Sequence, residues 1–243
     1  MREWKGKRYW LVGASEGLGR ALAHEMSAAG ATMVLSARTR ERLEAVSGTL
    51  PCPSEVLPMD VTDADSVRAA AEEAGEVDGL VWLAGVYWPM AAQQWDAEKA
   101  ALMCDVNLTG AARVLGEVVP GMVRRGRGHV VLTGSLSGFR GLPGAIGYGA
   151  SKAGVMSLAE TMRADLKGSG VEVQLVNPGF IRTRLTEKND FPMPFILEPD
   201  AAAKRYFAHM NTRRFAANFP RAFGAMFRLS QFLPDWLYYR IVA

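Results

Sequence analysis

Three side chains in the stretch "VVLTGSLSGFRGLPGAIGYGASKAG" could together move a proton: Ser135, Tyr148 and Lys152. Tyr148 and Lys152 are four residues apart, so on a helix they share one face. A phenol titrates near pH 10, roughly three units above neutrality, and is a poor acid–base group there. A neighbouring ammonium favours the phenolate and is expected to lower the Tyr148 pKa toward the working range. Ser135 ends a strand-like run and could donate a hydrogen bond to a carbonyl oxygen. Ser137, two residues on, is expected to point elsewhere if strand geometry persists. The chemistry available to such a set is proton transfer at a carbon–oxygen centre.

A second constellation lies near the start of the chain. "VGASEGLGRAL" follows an apolar run and opens an amphipathic one, with Gly13, Gly17 and Gly19 spaced for a tight turn. Such a turn lets backbone approach a pyrophosphate, which the free N–H groups and dipole of the following helix stabilise. After the second apolar run the sequence reads "LSARTRERL", with Ala37 and Arg38 where an acid would bind a ribose 2′-hydroxyl. An arginine there suits a 2′-phosphate instead. Arg38 therefore points to NADP(H) over NAD(H), although Arg40 and Arg42 compete for the role and Glu16 opposes a nearby phosphate.

These residues need a scaffold that brings them to one edge. Short apolar runs at 9–14, 31–37, 55–61, 77–85, 128–135 and 171–179 alternate with amphipathic stretches, and "RRFAANFP" (213–220) offers a seventh strand. Continuous apolar strands separated by helices predict a doubly wound, mostly parallel sheet covered on both faces, in one domain over 1–243. Asp63 marks a helix start. Prolines 192, 194 and 199 break up 185–200, which is read as a loop or substrate lid. Residues 221–243 are expected to form a terminal aromatic, basic helix.

Composition sets further bounds. The 243 residues are 49% hydrophobic and 22% charged, an ordinary globular balance. Cys52 and Cys104 provide neither a disulfide framework nor a metal site, and the three histidines (His24, His129 and His209) are scattered and expected to be structural. No secretory leader or spanning segment is read from the sequence, so a cytoplasmic location is expected. Net charge is only +3, yet residues 201–243 hold seven Lys/Arg and one Asp, and 10 of the 22 aromatics. That tail suits a packed cap, with a membrane surface as the alternative. Nothing suggests a nucleic-acid partner.

Taken together, the motifs resemble those of the short-chain dehydrogenase/reductase family: "GASEGLG" (13–19), "DV" (60–61), "AG" (84–85), "VN" (106–107), Ser135, "YGASK" (148–152) and "NPGFIRT" (177–183). The resemblance implies that Tyr148 is the general acid/base and that Lys152 tunes it and holds the nicotinamide ribose. It gives Ser135 the substrate oxygen and Asn107 a place in a water-linked proton relay; a structural role inside a helix competes for Asn107. Ser15, Leu18, Asp60, Val61, Ala84, Gly85, Pro178, Gly179, Ile181 and Thr183 join the three glycines and Arg38 as expected cofactor contacts. The chain departs from the family at "WLAG" (82–85), where Asn-Asn-Ala-Gly is common, and at its C-terminal end.

The reading that follows is an NADP(H)-dependent oxidoreductase working on a small, hydrophobic ketone or secondary alcohol, as a homodimer or higher oligomer. Its substrate walls are expected from Val86, Tyr87, Trp88, Arg140, Leu142 and Phe180, with Met193 and Phe195 closing over them. The alternative is a nucleotide-binding regulatory or scaffold protein without catalysis.

Overall fold

The computed structural model describes residues 2–242. The first half alternates as expected: β1 (Arg8–Val12), α1 (Gly17–Ala28), β2 (Thr32–Ser36), α2 (Arg40–Ser47), β3 (Ser54–Val56), α3 (Ala64–Ala74) and β4 (Gly79–Trp82). Then come α4 (Ala97–Cys104), α5 (Gly110–Arg125), β5 (Gly128–Thr133), α6 (Ile146–Asp165), β6 (Val171–Pro178), α7 (Pro199–Met210) and β7 (Ala216–Phe219), followed by α8 (Arg221–Ser230) and α9 (Asp235–Val242). All seven strands pair in parallel, in the order β3-β2-β1-β4-β5-β6-β7. The order reverses between β1 and β4, so the crevice at their carboxyl ends is the natural ligand site.

Strand alternation feeds two cores. Trp10, Val12, Leu80, Trp82, Val130 and Leu132 pack on one face with Val114 and Val155 of α5 and α6. Tyr9, Leu11, Val81 and Val131 point the other way, toward Leu22 and Met26 of α1 and Tyr206 of α7. Every second side chain changes face, and both faces are covered, so the strands read as continuous apolar runs. Asp63 caps α3, its carboxylate accepting from Asp65 N at 2.9 Å and Ser66 N at 3.3 Å.

Two expected elements come out differently. The third strand is regular only over Ser54–Val56, because Pro58 has no N–H to give; its neighbours Leu57 and Met59 still donate to Leu35 O and Ala37 O, both at 3.0 Å. The terminal helix is two helices, not one; Ala243 lies outside the described residues. Pro234 disfavours helical backbone at Leu233 and ends α8's run. Arg140 occupies the break: its Nη1 donates to Ser230 O (2.5 Å) and Leu233 O (2.8 Å), and Nη2 to the Asp235 carboxylate (2.5 Å). Its guanidinium lies 3.9 Å from the Tyr238 ring centroid, and Tyr238 Oη donates to Gly141 O at 2.6 Å. Arg140 is therefore a clamp on the C-terminal hairpin and not the substrate wall the sequence suggested. Among the described residues no helix is long and apolar enough to cross a membrane.

Replacing Arg140 by Ala removes three charge-assisted hydrogen bonds, worth roughly 1.5–3 kcal/mol each. Amide exchange in α9 is expected to speed up by at least tenfold while β1, β4 and β5 are unchanged. Unaltered protection in α9 would show that the hairpin is held by its apolar contacts alone.

Candidate active site

The glycine turn sits where β1 meets β4. Gly13 has φ +98°, and a Cβ there would lie 2.5 Å from Ala84 N; a Cβ on Gly19 would lie 2.0 Å from Gly13 O. Only glycine allows this stack of β1 turn, α1 and the strand that follows. The departure at "WLAG" is thus compatible with close packing: the small Ala84 faces the turn.

A cleft of about 710 Å³ runs along the carboxyl edge of the sheet. Gly13, Ser15, Gly17, Leu18, Gly19, Arg38, Asp60, Val61, Ala84, Gly85, Tyr148, Lys152, Pro178, Gly179, Ile181 and Thr183 all line it. At one end Arg38 makes no hydrogen bond or ion pair to any described residue, whereas Arg40 pairs with Glu44 at 3.7 Å. Glu16 is held between Arg42 (3.1 Å) and Arg184 (2.8 Å). Its negative charge is compensated twice over, so it opposes an anion at Arg38 far less than the sequence implied. For Asp60, burial alone would raise the pKa; hydrogen bonds from Thr62 N and Oγ1, with the charges of Arg38 and Arg113, hold it below the ordinary carboxylate value. Asp60 is therefore an anion with Thr62 fixing one of its oxygens. A dinucleotide fits this cradle: a glycine floor no larger residue could form, an uncommitted guanidinium at one end and two titratable side chains at the other.

At that other end α6 carries Tyr148 and Lys152 on one face, as their spacing requires. Lys152 is buried and donates to Thr133 O at 2.9 Å. Desolvation brings its pKa down to about 8. Tyr148 moves the opposite way from expectation. Burial pushes it up to about 12, the Ser135 hydroxyl pulling down and the Tyr87 ring, 5.0 Å away, pushing up. Lys152 Nζ stands 5.7 Å from the Tyr148 ring centroid and over its face, and desolvation outweighs any help it gives the phenolate.

Ser135 is the N-cap of a short 3₁₀ turn (Leu136–Gly138), so strand geometry ends there. Ser137 is turned back onto the site: its N–H (3.2 Å) and Oγ–H (2.9 Å) both donate to Ser135 Oγ. This corrects the expectation that Ser137 points away. The two donations occupy Ser135's lone pairs and leave its own proton free to be donated.

Asn107 is fully buried in a π-helical turn (Asp105–Thr109) joining α4 to α5. Its Oδ1 accepts from Val86 N (2.7 Å), and its Nδ2 donates to Val86 O and to Ser151 Oγ, both at 3.0 Å. The side chain ties the loop after β4 to α6, beside Lys152. Neither Asn107 nor Ser135 lines the cleft directly; both stand behind the residues that do.

Of the expected walls, Val86 and Trp88 line the cleft, joined by Leu102, Leu185 and Lys188, which sequence reading missed. Lys188 donates to Tyr87 O at 2.7 Å and lies 4.3 Å from the Trp88 ring, latching the loop after β6 onto the loop after β4. An exposed lysine in a proline-rich loop carries no signal of this. Phe180 instead joins Phe191 (6.0 Å) and Phe223 (6.2 Å). Of the histidines, His129 is buried between Tyr9 Oη and Gln174 Oε1, both at 2.9 Å, with burial pulling its pKa to about 3. His209 Nε2 reaches Phe215 O at 3.4 Å, and His24 is partly exposed beside Thr49.

The family model for short chain dehydrogenases matches residues 7–192. The chain belongs to that oxidoreductase family. An oxidoreductase of Myxococcus xanthus is 36% identical over 98% of this chain and 97% of its own length. The 3-oxoacyl-[acyl-carrier-protein] reductase of Thermotoga maritima is 34% identical over 76% and 78% of the two chains. A solved short-chain dehydrogenase from Sphingobium yanoikuyae in complex with NADPH superposes with a TM-score of 0.82, at 26% identity and 94% and 97% coverage.

The Lys152 value gives a checkable pH dependence for this short-chain dehydrogenase. A lysine lowered from 10.5 to about 8 binds fewer protons folded than unfolded between those limits, so stability rises with pH across that window. Below pH 8 the cost of the buried ammonium is fully present. The stability advantage of Lys152→Met over the wild type is therefore expected to shrink by up to roughly 3 kcal/mol between pH 7.5 and 10.5, read by urea unfolding. A difference that stays constant with pH would mean that Lys152 is solvated.

Proposed function

We propose that this short-chain dehydrogenase is an NADPH-dependent carbonyl reductase acting on an apolar ketone. The observation that carries the reading is one continuous cleft with the uncommitted Arg38 at one end and Tyr148 and Lys152 at the other. A bound reduced nicotinamide would supply the hydride. Arg38 would hold the 2′-phosphate through paired charge-assisted hydrogen bonds, Asp60 would meet the adenine and Lys152 the nicotinamide ribose.

Tyr148 holds its proton at neutral pH, and a protonated phenol is what reduction needs as the carbonyl oxygen gains charge. Ser135, with its lone pairs taken by Ser137, would hold the same oxygen with a hydrogen bond from its hydroxyl while Tyr148 supplies the one proton. The side chains of Val86, Trp88, Leu102 and Leu185 make the surroundings apolar, and the latch of Lys188 supports 185–200 as a lid. The NADPH complex of the Sphingobium relative and the keto substrate named for the Thermotoga relative agree with this reading.

Titration with NADPH and NADH, followed by nicotinamide fluorescence, is expected to give at least roughly tenfold tighter NADPH binding, and Arg38→Ala to remove that preference. Tighter NADH binding would overturn the cofactor assignment; binding of neither at millimolar concentration would overturn the enzyme reading. In a screen of aryl and alkyl ketones, Tyr148→Phe should lower kcat by about 10²–10⁴ with the NADPH Kd changed less than a few-fold.

A further inference from the structure

The α8–α9 pair has an inner and an outer side. Inward, Phe223 packs on Phe180 and Phe195, and Tyr238 is buried against Arg140. Outward, Met226, Leu229, Phe232, Trp236, Tyr239 and Ile241 are exposed, Phe232 to 81% and Trp236 to 68%. Six large apolar side chains are thus exposed within the sixteen residues from Met226 to Ile241, a local concentration along two helices and the turn between them that scattered single exposures do not give. Arg221, Arg228 and Arg240 are exposed beside it. The only acid in residues 201–243, Asp235, is bound to Arg140.

We infer that this face docks on an anionic lipid surface. Three features choose lipid over a second copy of the chain. A two-fold interface would bury the three arginines of each copy in one seam, where residues 201–242 offer no acid free to pair them. Anionic headgroups supply the missing charge, while the acyl boundary takes Leu229, Phe232 and Met226. Trp236 and Tyr239 have the amphipathic rings that favour that boundary. The face also backs onto the site: a Cβ on cleft-lining Gly179 would lie 3.4 Å from Phe223, and Arg140 ties α9 to the segment between Ser135 and Tyr148. Docking would hold the mouth of the cleft beside the lipid, where apolar molecules concentrate. The inference stands on the surface alone and does not depend on the cofactor or the reaction.

The test is co-sedimentation of the full chain with phosphatidylcholine vesicles, with and without phosphatidylglycerol. Wild type is expected to partition at least roughly tenfold more onto the anionic vesicles, and less with added salt. The pair Phe232→Ser/Trp236→Ser and the triple Arg221→Gln/Arg228→Gln/Arg240→Gln should each cut that binding by roughly tenfold or more, with unchanged thermal melts. Brominated lipid should quench wild-type fluorescence and leave Trp236→Phe much less affected, a readout that does not depend on the surface variants folding. No binding to either vesicle, or binding that both sets of variants retain, overturns the inference. So does a stable dimer that Phe232→Ser/Trp236→Ser converts to monomer without any vesicle binding.

Discussion

A single buried ammonium organises the carboxyl edge of this sheet. Lys152 Nζ is held by Thr133 O, the last carbonyl of β5, in surroundings dry enough to bring its pKa down to about 8. Removing a charge from water is tolerated only where the neighbourhood is built for it, and the neighbours here are fixed from three directions. Thr133 Oγ1 is hydrogen bonded to Tyr206 of α7 at 2.8 Å. Asn107 bonds Ser151, the residue before Lys152, and with the same amide group fixes Val86. A Cβ on Gly85 would come within 3.7 Å of Nζ, so the missing side chain leaves room above the ammonium. Contacts from α7 on one side of the sheet and from the Asn107 turn on the other thus fix the residues that flank this nitrogen.

The same economy of contacts governs the residues that face the cleft. Behind the cleft wall Ser137 satisfies the lone pairs of Ser135, which leaves the Ser135 hydroxyl to act as a donor, and burial keeps the proton of Tyr148 in place at neutral pH. Two donors with defined protons, Tyr148 on the wall and Ser135 behind it, suit an oxygen that accumulates negative charge. At the far end Arg42 and Arg184 neutralise Glu16, and Arg38 is left uncommitted. The cleft is therefore polarised along its length by pairing as much as by residue type.

The C-terminal hairpin is attached to this machinery and not merely laid over it. Arg140 reaches it from the segment between Ser135 and Tyr148, Gln231 Nε2 returns a hydrogen bond to Phe139 O at 2.9 Å, and Phe223 touches the loop after β6. The inner side of the hairpin is thus tied both to the segment between Ser135 and Tyr148 and to the loop after β6. The loop that carries Lys188 closes the third side by reaching Tyr87 O.

The fold and the cleft were largely legible in the sequence because both rest on short-range rules. Continuous apolar strands mean a sheet covered on both faces, the glycine spacing means a turn no larger residue can make, and residues at i and i+4 share a helix face; none of these depends on distant partners. The family motifs likewise placed the cleft-lining residues, from Gly13 to Thr183, at one edge. What the sequence could not decide were outcomes set by irregular local backbone or by contacts between segments far apart in the chain. Ser137 turns inward only because a 3₁₀ turn begins at Leu136, and Tyr148 is raised because the packed fold removes its water. Arg140 becomes a clamp because Pro234, more than 90 residues later, frees the carbonyls it binds. Charge and burial belong to the surroundings a residue acquires on folding, and only the tertiary structure determines those.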